Sequence, residues 1–400
     1  MIFSMGDFFT SKESLEFLKN RFREYYETTD IELPDRFGRR EFAFVLFGGK
    51  GMIRHLSFDK KINFKIFLKG RVPAHVYYST AYYQEPGAPT MQEKNWMGAE
   101  LIFDLDSDHL ANAEKYSYSE QLELVKKEFY KLVDDFLLND FGFDEKNLDL
   151  YFSGGRGYHC HVKDKTIFDL DSNERREIVD YITGRDLKDS LIFRERVTGI
   201  KRYGSRRYPS GKSLKMPAPG ASGWRGRISR GILDIVDEIM KSEDPMKKLD
   251  EYGVKRTDAE KLLDDLSEER VKRIREGNLD QSKTIRKFFL NNALRKTAVS
   301  MSAGETDEPV TCDVKRLIRL PSSLHAKTGL KVTKTTLNDL GDFDPLRDAV
   351  VFPDDPVKIE LNESVHMKMN GEEFNLVAGE EELPTYLAVF LIGRRLANII

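Results

Sequence analysis

Two aspartates separated by one residue, Asp104 and Asp106, end the apolar stretch at residues 99–106. On a strand the side chains alternate between two faces, so these carboxylates project from the same side. Carboxylate oxygens paired in this way hold Mg²⁺ or Mn²⁺ and leave coordination positions for water and phosphate oxygens. The pair therefore indicates a divalent-cation site of the kind that phosphoryl-transfer enzymes use.

A second stretch, residues 151–162, has the residue types that bind a polyphosphate. Its glycines allow the backbone to approach a ligand closely, Ser153 adds a hydroxyl group, and Arg156 adds a guanidinium fork that matches phosphate oxygens. His159 could add a further contact. The same stretch could also be a glycine-rich turn between strands, with His159 or His161 packed in the core.

A third stretch, residues 311–330, begins with the carboxylate of Asp313 and continues into a basic segment rich in hydroxyl groups. Arg319, His325 and Lys327 lie in that segment. Carboxylates hold metal ions and cationic side chains bind phosphate oxygens. This stretch therefore has both types of group that a site for a metal ion and a polyphosphate needs.

Composition limits the class of protein. The chain has 400 residues, of which 40% are hydrophobic, enough for a sizeable core, and its net charge of −3 provides no overall attraction to nucleic acid. Its two cysteines, Cys160 and Cys312, are too few for a disulfide framework or an all-cysteine zinc site and are interpreted as buried, reduced residues. The apolar run at 387–392 is too short to span a bilayer, and residues 1–9 lack the features of a signal peptide. We expect a cytoplasmic protein without membrane association.

Hydrophobic spacing predicts the elements that position these groups. Residues 41–58 read as a β-hairpin, and Ser117-x-x-Glu120 caps a helix with an apolar face that continues to Phe136. Strand signals fade after about residue 163, where charged helices and an exposed loop at 209–226 are expected.

The predicted fold class is α/β, and more specifically α+β. A catalytic core of mixed or antiparallel sheets with flanking helices is expected from residues 1–165 and 305–400, and a mainly helical insertion from residues 166–304.

Taken in order, the three motifs resemble the catalytic small subunit of archaeal-type DNA primase, of the archaeo-eukaryotic primase superfamily. The resemblance rests on the Asp-x-Asp strand end, the Ser-Gly-x-Arg-Gly-x-His segment and the segment from Asp313 through Arg-Leu-Pro-x-Ser-Leu-His-x-Lys-Thr-Gly-Leu. It extends to Arg40-Glu41-Phe42, to Arg54, to Trp96-x-Gly98-Ala99-Glu100 and to residues 383–388, and so covers nearly all of the chain outside the insertion.

The resemblance implies a DNA-templated nucleotidyltransferase that synthesises RNA primers for DNA replication. It implies three metal-binding, catalytic aspartates that hold two divalent ions, Mg²⁺ or Mn²⁺: Asp104, Asp106 and Asp313. It implies contacts to the nucleotide from Arg54, Ser153, Arg156, His159, Arg319, His325 and Lys327, with Glu41 as a further candidate. The implied partners are the primase large subunit, in a heterodimer, a single-stranded DNA template and NTPs.

One departure from the family concerns zinc. Relatives commonly have a cysteine/histidine zinc cluster between the first two motifs, whereas residues 107–150 contain His109 and no cysteine. We therefore expect structural zinc to be absent.

The insertion contains a basic stretch, with 13 Lys/Arg and three acidic residues between Arg185 and Arg230. Interleaved with Tyr203, Tyr208 and Trp224, these cations suit a single-stranded template, and Arg202, Arg206 and Arg207 are the candidate contacts. A solvated loop is the alternative interpretation.

Other functions fit the motifs less well. A phosphohydrolase of the haloacid dehalogenase type would use Asp104 as its nucleophile, but it would have Thr or Val where Asp108 stands and would not need residues 319–327. A non-catalytic nucleic-acid-binding module would not need three separated carboxylates. A primase-polymerase of repair or of a mobile element keeps the same chemistry and is the nearest alternative.

Overall fold

The computed structural model describes residues 11–109, 115–279, 283–299 and 310–400. The chain divides into two compact units, a first made of residues 1–179 and 301–400 and a second made of residues 180–300. In the described part of the chain, no helix is both long and apolar enough to cross a membrane.

The helices, in chain order, are α1 (Lys12–Thr28), α2 (Lys61–Arg71), α3 (Tyr118–Lys131), α4 (Ser172–Thr183), α5 (Asp189–Ile192), α6 (Gly223–Met240), α7 (Pro245–Glu251), α8 (Arg256–Asp265), α9 (Glu268–Arg275), α10 (Lys283–Thr297), α11 (Leu337–Leu340), α12 (Pro345–Asp348) and α13 (Thr385–Gly393).

The strands, in the same order, are β1 (Phe42–Leu46), β2 (Met52–Leu56), β3 (Pro73–Ser79), β4 (Ala81–Tyr83), β5 (Trp96–Ala99), β6 (Leu101–Asp106), β7 (Leu148–Phe152), β8 (Gly157–Val162), β9 (Arg194–Tyr203), β10 (Arg206–Lys215), β11 (Asn278–Leu279), β12 (Leu317–Arg319), β13 (Thr333–Thr335), β14 (Pro356–Leu361), β15 (Val365–Met369), β16 (Glu372–Leu376), β17 (Gly379–Pro384) and β18 (Ala397–Ile399).

Two four-stranded sheets form the centre of the first unit, with strand orders β12-β3-β1-β2 and β13-β7-β8-β6. All of their strand pairs are antiparallel. Each sheet pairs early strands with one from the last hundred residues, so residues far apart in sequence meet in one core. The α+β core of antiparallel sheets with flanking helices is confirmed.

The buried face of the first sheet packs against α1 and α2. Phe22 of α1, Phe64 of α2 and Phe44 of β1 are fully buried in one cluster. Phe42 and Phe58 join them through edge-to-face and tilted ring contacts. Burial of this aromatic surface stabilises the packing of the two helices on the sheet.

The predicted hairpin and the helix beginning at Ser117 are confirmed. β1 and β2 pair as a hairpin, and the Ser117 side chain and Glu120 form a reciprocal capping box at the start of α3. The apolar face of α3 continues through a π-helical turn, Leu132–Leu138, with Phe136 fully buried.

The prediction of a loop at 209–226 was wrong. Residues 209–215 belong to β10, which pairs with β9 in a long antiparallel ribbon, and α6 begins at Gly223. The ribbon lacks the alternation of a half-buried strand because both of its faces are exposed, as Ile200 (61% exposed) and Tyr203 (70% exposed) illustrate. Pro209 lies immediately before a shift in the register, and strands tolerate proline at such irregularities. The short strand β11 pairs with the end of β10, and the other described elements of the second unit are helices.

Candidate active site

A cavity of about 840 Å³ in the first unit brings together side chains from all three motifs. The sequence-predicted residues that line it are Asp104, Asp106, Ser153, Arg156, His159, Arg319, His325 and Lys327. The cavity therefore unites residues that lie more than 200 positions apart in the chain.

The two aspartates of β6 face the cavity together, as alternation on a strand requires. β8 pairs with β6 so that His159 lies directly opposite Asp104. The His159 Nε2 atom is 3.2 Å from Asp104 Oδ1. The Nδ1 atom of His159 is buried and has no hydrogen-bond partner among the described residues. The hairpin of β7 and β8 thus holds this histidine on the carboxylate face of β6.

Asp106 lies in a concentration of negative charge. Burial raises the pKa of its carboxyl group, and neighbouring Asp104 and Asp108 act in the same direction, against the lowering effect of Arg156. Arg156 Nε is 3.6 Å from Asp106 Oδ1, and the same guanidinium also pairs with Asp108. Crowded hard oxygen atoms whose proton affinity is raised are the donor set that a divalent cation neutralises. Asp104 and Asp106 therefore fit such an ion.

The turn at 153–156 is fixed by its own hydrogen bonds. The backbone N–H groups of Gly155 and Gly157 donate to Ser153 Oγ at 3.2 and 3.3 Å, and Thr328 Oγ1 donates to the Gly154 carbonyl at 2.5 Å. Gly154 has φ +76°, and a Cβ atom there would lie 3.0 Å from the Leu330 carbonyl oxygen. Glycine is therefore required where the turn packs against the third motif.

The third motif adds a cationic wall that rests on two buried histidines. Arg319 Nη1 lies 2.8 Å from His75 Nδ1, and the His75 and His325 rings are 5.0 Å apart. Burial lowers the pKa of both histidines well below its usual value, and the positive charge of Arg319 lowers it further. Both rings are therefore neutral near pH 7, and the positive charge of this wall comes from Arg316, Arg319 and Lys327.

Asp313 does not line the cavity. It follows a 3-10 turn, Val310–Cys312, that packs against β6, and its Oδ1 accepts a hydrogen bond from the Lys315 N–H at 2.9 Å. The described residues include no group of three or more Cys, His, Asp or Glu side chains gathered closely enough to hold a metal ion. Convergence of Asp313 with the two aspartates of β6 stays a prediction.

Arg54 also lies outside the lining of the cavity. Its Nε atom is 3.1 Å from Glu41 Oε1, and Glu41 is buried and also pairs with Lys94 at 3.5 Å. The candidate template residues Arg202, Arg206 and Arg207 lie on the exposed ribbon of the second unit.

His161 has a structural role. Its Nδ1 atom lies 3.3 Å from Glu100 Oε2 and 3.2 Å from the Tyr78 hydroxyl. Glu100 also pairs with the fully buried Arg40, whose guanidinium and the His161 ring hold the pKa of this carboxyl low despite its burial. Of the two histidines that the sequence left open, His161 is the packed one. Cys160, between them, is fully buried, and burial raises the pKa of its thiol, which suits the predicted apolar role.

Several residues that line the cavity were not predicted from the sequence. Those with polar side chains are Tyr77, Arg316, Thr328, Arg394 and Arg395. Arg394 and Arg395 directly follow the apolar run of α13. A pair of arginines at the end of a buried helix is the sequence feature from which they could have been predicted.

Comparison with known proteins identifies the family of this chain. The family model for the DNA primase small subunit matches residues 103–335. A protein named DNA primase small subunit PriS from Methanothrix thermoacetophila is 45% identical over 393 residues, covering 96% of this chain and 98% of the relative. Proteins of the same name from Methanosarcina acetivorans and Picrophilus torridus are 43% and 40% identical; they cover 97% and 95% of this chain, and 97% of each relative is covered. The resemblance of the three motifs is confirmed, and the chain belongs to the DNA primase small subunit family.

Proposed function

We propose that this chain is the catalytic subunit of a DNA primase, a nucleotidyltransferase that synthesises short RNA primers from NTPs on a single-stranded DNA template. The observation that carries this proposal is the cavity in which Asp104 and Asp106 face a wall of cations. Primer extension needs both: carboxylates to hold divalent ions and cations to bind the nucleotide phosphates.

Asp104 and Asp106 would hold two divalent ions, Mg²⁺ or Mn²⁺, together with Asp313 in the arrangement that the family resemblance implies. When bound, the ions would lower the pKa of the attacking 3′ hydroxyl and neutralise charge on the leaving pyrophosphate. No covalent nucleophile is needed on the protein.

The chain's own contribution is to position the nucleotide. The turn at 153–156 offers backbone close to the phosphates, and Arg156, Arg319 and Lys327 supply positive charge around them. The neutral ring of His325 can donate a hydrogen bond to a phosphate oxygen, while His159 and Arg54, the latter on β2, are further candidate contacts. Because these groups are fixed before the nucleotide arrives, they stabilise transition-state charge with little reorganisation.

We propose that the ribbon of β9 and β10 contacts the template. In the register of the two strands, Arg202 lies opposite Arg207 and Tyr203 lies opposite Arg206. Cations and exposed aromatic rings therefore lie next to one another along the ribbon. Phosphate contacts and base stacking by such side chains are tolerant of sequence, as copying of arbitrary template requires. A large subunit is the proposed partner, as the name of the relatives, "small subunit", implies.

A primer-synthesis assay tests the proposal. The purified protein, alone and with the large subunit of the same organism, is given single-stranded DNA, labelled NTPs and Mg²⁺ or Mn²⁺, and each reaction is repeated with EDTA. We expect short products that require both template and metal ion. Release of inorganic phosphate from the nucleotide without any oligonucleotide product would instead favour a phosphohydrolase and overturn the proposal.

A further inference from the structure

The end of helix α13 supplies two cations to the cavity that no motif accounts for. All nine residues of α13 are buried, and the two residues after them, Arg394 and Arg395, line the same cavity as Asp104 and Asp106. A helix packed on every side cannot shift easily, so the positions of these arginine backbones are fixed relative to the site.

Gly393 sets how close the helix end comes to the third motif. A Cβ atom at this position would lie 2.8 Å from the Ala326 carbonyl oxygen and 2.9 Å from the Lys327 carbonyl carbon. Any larger residue would therefore push α13 away from this segment. The close approach places Arg394 and Arg395 beside Lys327.

The backbone of Arg395 is held in an unfavourable conformation. Its φ is +66°, in the left-handed region that residues with a Cβ atom rarely adopt and that usually carries glycine at the end of a helix. An arginine at such a position indicates a functional role for its side chain, because glycine would adopt this backbone conformation with less strain.

The charges gathered here are of one sign. Partial burial lowers the pKa of Lys327, and three nearby guanidinium groups lower it further, those of Arg156, Arg319 and Arg395. Six Arg and Lys residues line the cavity against two carboxylates. Stabilisation of a helix C-terminus explains one arginine near the last carbonyl groups but not the gathering of like charges around an open cavity. The gathering calls for an anionic ligand.

Arg394 is connected to the turn at 153–156, which is the proposed binding site of the triphosphate. Its guanidinium lies 4.6 Å from the centre of the Tyr118 ring, and the Tyr118 hydroxyl donates a hydrogen bond to the Gly155 carbonyl in the turn at 153–156. Arg156, on the same turn, is close enough to lower the pKa of Arg394, in addition to the effect of burial.

We propose that Arg394 and Arg395 bind the β- and γ-phosphates of the incoming nucleoside triphosphate, so that the end of α13 forms one wall of its site. This inference rests on the proposed function. It assigns to the C-terminal helix the part of the substrate that leaves as pyrophosphate, on the side of the cavity where Arg156 and Lys327 already lie.

Nucleotide binding tests this assignment without any turnover. Calorimetric titration with ATP, ADP and AMP in Mg²⁺ and without template compares the parent, the double variant Arg394→Gln/Arg395→Gly, and Arg347→Gln. Arg347 is an exposed arginine paired with Asp348 outside the cavity, so its variant controls for loss of surface charge. Loss of charge-assisted contacts predicts ATP binding about 10-fold to 100-fold weaker in the double variant. AMP binding should stay at the parent value, and the control should match the parent throughout.

Arg395→Gly alone separates binding from folding. Glycine suits the positive φ, so this variant should melt at the parent temperature or above while still binding ATP more weakly. Unchanged ATP affinity in the double variant would overturn the inference, as would equal weakening of ATP and AMP, or a loss of single-stranded DNA affinity with ATP affinity intact. If the parent itself neither makes primers nor prefers ATP to AMP, the proposed function fails; if the parent does both and the double variant matches it, this inference alone fails.

Discussion

The cavity of the first unit and the ribbon of the second differ in how their charged side chains are held. In the cavity, Asp104 and His159 face each other across paired strands, and Arg319 rests on the buried His75. On the ribbon, Arg202, Arg206 and Arg207 are exposed and are close neighbours in sequence. This difference fits the two proposed roles. Phosphoryl transfer needs atoms at fixed positions, whereas contacts to a DNA strand need mainly charge and stacking surface.

Removal of a carboxylate in the cavity should have the largest effect. Asp104→Ala or Asp106→Ala should lower nucleotide incorporation at least about 100-fold, because metal-based charge stabilisation is worth several kcal/mol. The variants should still fold, since loss of Asp106 also relieves repulsion in a crowded acidic group. Incorporation rate and circular dichroism measure the two effects, with exposed Asp354→Ala as the matched control. Near-normal incorporation by Asp106→Ala at saturating Mg²⁺ would exclude the mechanism.

Changes to the phosphate-binding side chains should come next. Arg156→Ala and His159→Ala should raise the KM for NTPs about 10-fold or more, because each removes a contact to the triphosphate. Steady-state kinetics with varied NTP at fixed template measures this. If kcat falls while KM stays constant, these residues act on the transition state alone and the assignment to ground-state triphosphate binding is wrong.

Neutralisation of the ribbon should have a smaller effect and a different kind of effect. Arg202→Gln, Arg206→Gln and Arg207→Gln together should weaken single-stranded DNA binding and reduce its log–log salt slope by about 2, since each phosphate contact contributes about 0.7. The rate at saturating template should change little. Fluorescence anisotropy at several salt concentrations measures both quantities.

The control for the ribbon removes the same charge elsewhere in the second unit. Lys247, Lys255 and Lys261 are exposed cations outside the ribbon, so their triple Gln variant should bind DNA like the parent. Equal affinity and equal salt slope in the ribbon variant and the parent would leave the ribbon as a solvated or partner-facing surface.

The smallest effect is expected in the zinc content of the purified protein. Residues 107–150 include no cysteine, and His109 alone cannot form a closed zinc site; residues 110–114 of this segment lie outside the described residues. We expect no stoichiometric structural zinc in the purified protein. Elemental analysis that finds about one zinc per chain, retained in EDTA, would refute this.

Local patterns allowed much of the catalytic core to be predicted. Alternation placed Asp104 and Asp106 on one face of β6, and the capping box placed the start of α3. These features depend on residues a few positions apart, whose geometry a strand or a helix fixes. The joining of β6 to residues 319–327 could be expected only from the family resemblance, because contacts at such separation leave no local periodicity.

The ribbon and the end of α13 were missed for physical reasons. β9 and β10 are exposed on both faces, so their sequence has no hydrophobic alternation to reveal them. The role of Arg394 and Arg395 depends on the close packing of Gly393 on Ala326, a contact between residues 67 positions apart in the chain (393 − 326). Arg319 and His75 likewise lie on strands that are neighbours in one sheet but far apart in the sequence.

The most direct test of the central claim is a crystal structure with Mn²⁺ and a non-hydrolysable NTP, with the ions located by anomalous scattering. The account predicts two ions roughly 3.5–4 Å apart, held by Asp104, Asp106 and Asp313, with the triphosphate between the turn at 153–156 and Lys327. Ions absent from Asp104 and Asp106, or Asp313 turned toward another region of the molecule, would contradict it.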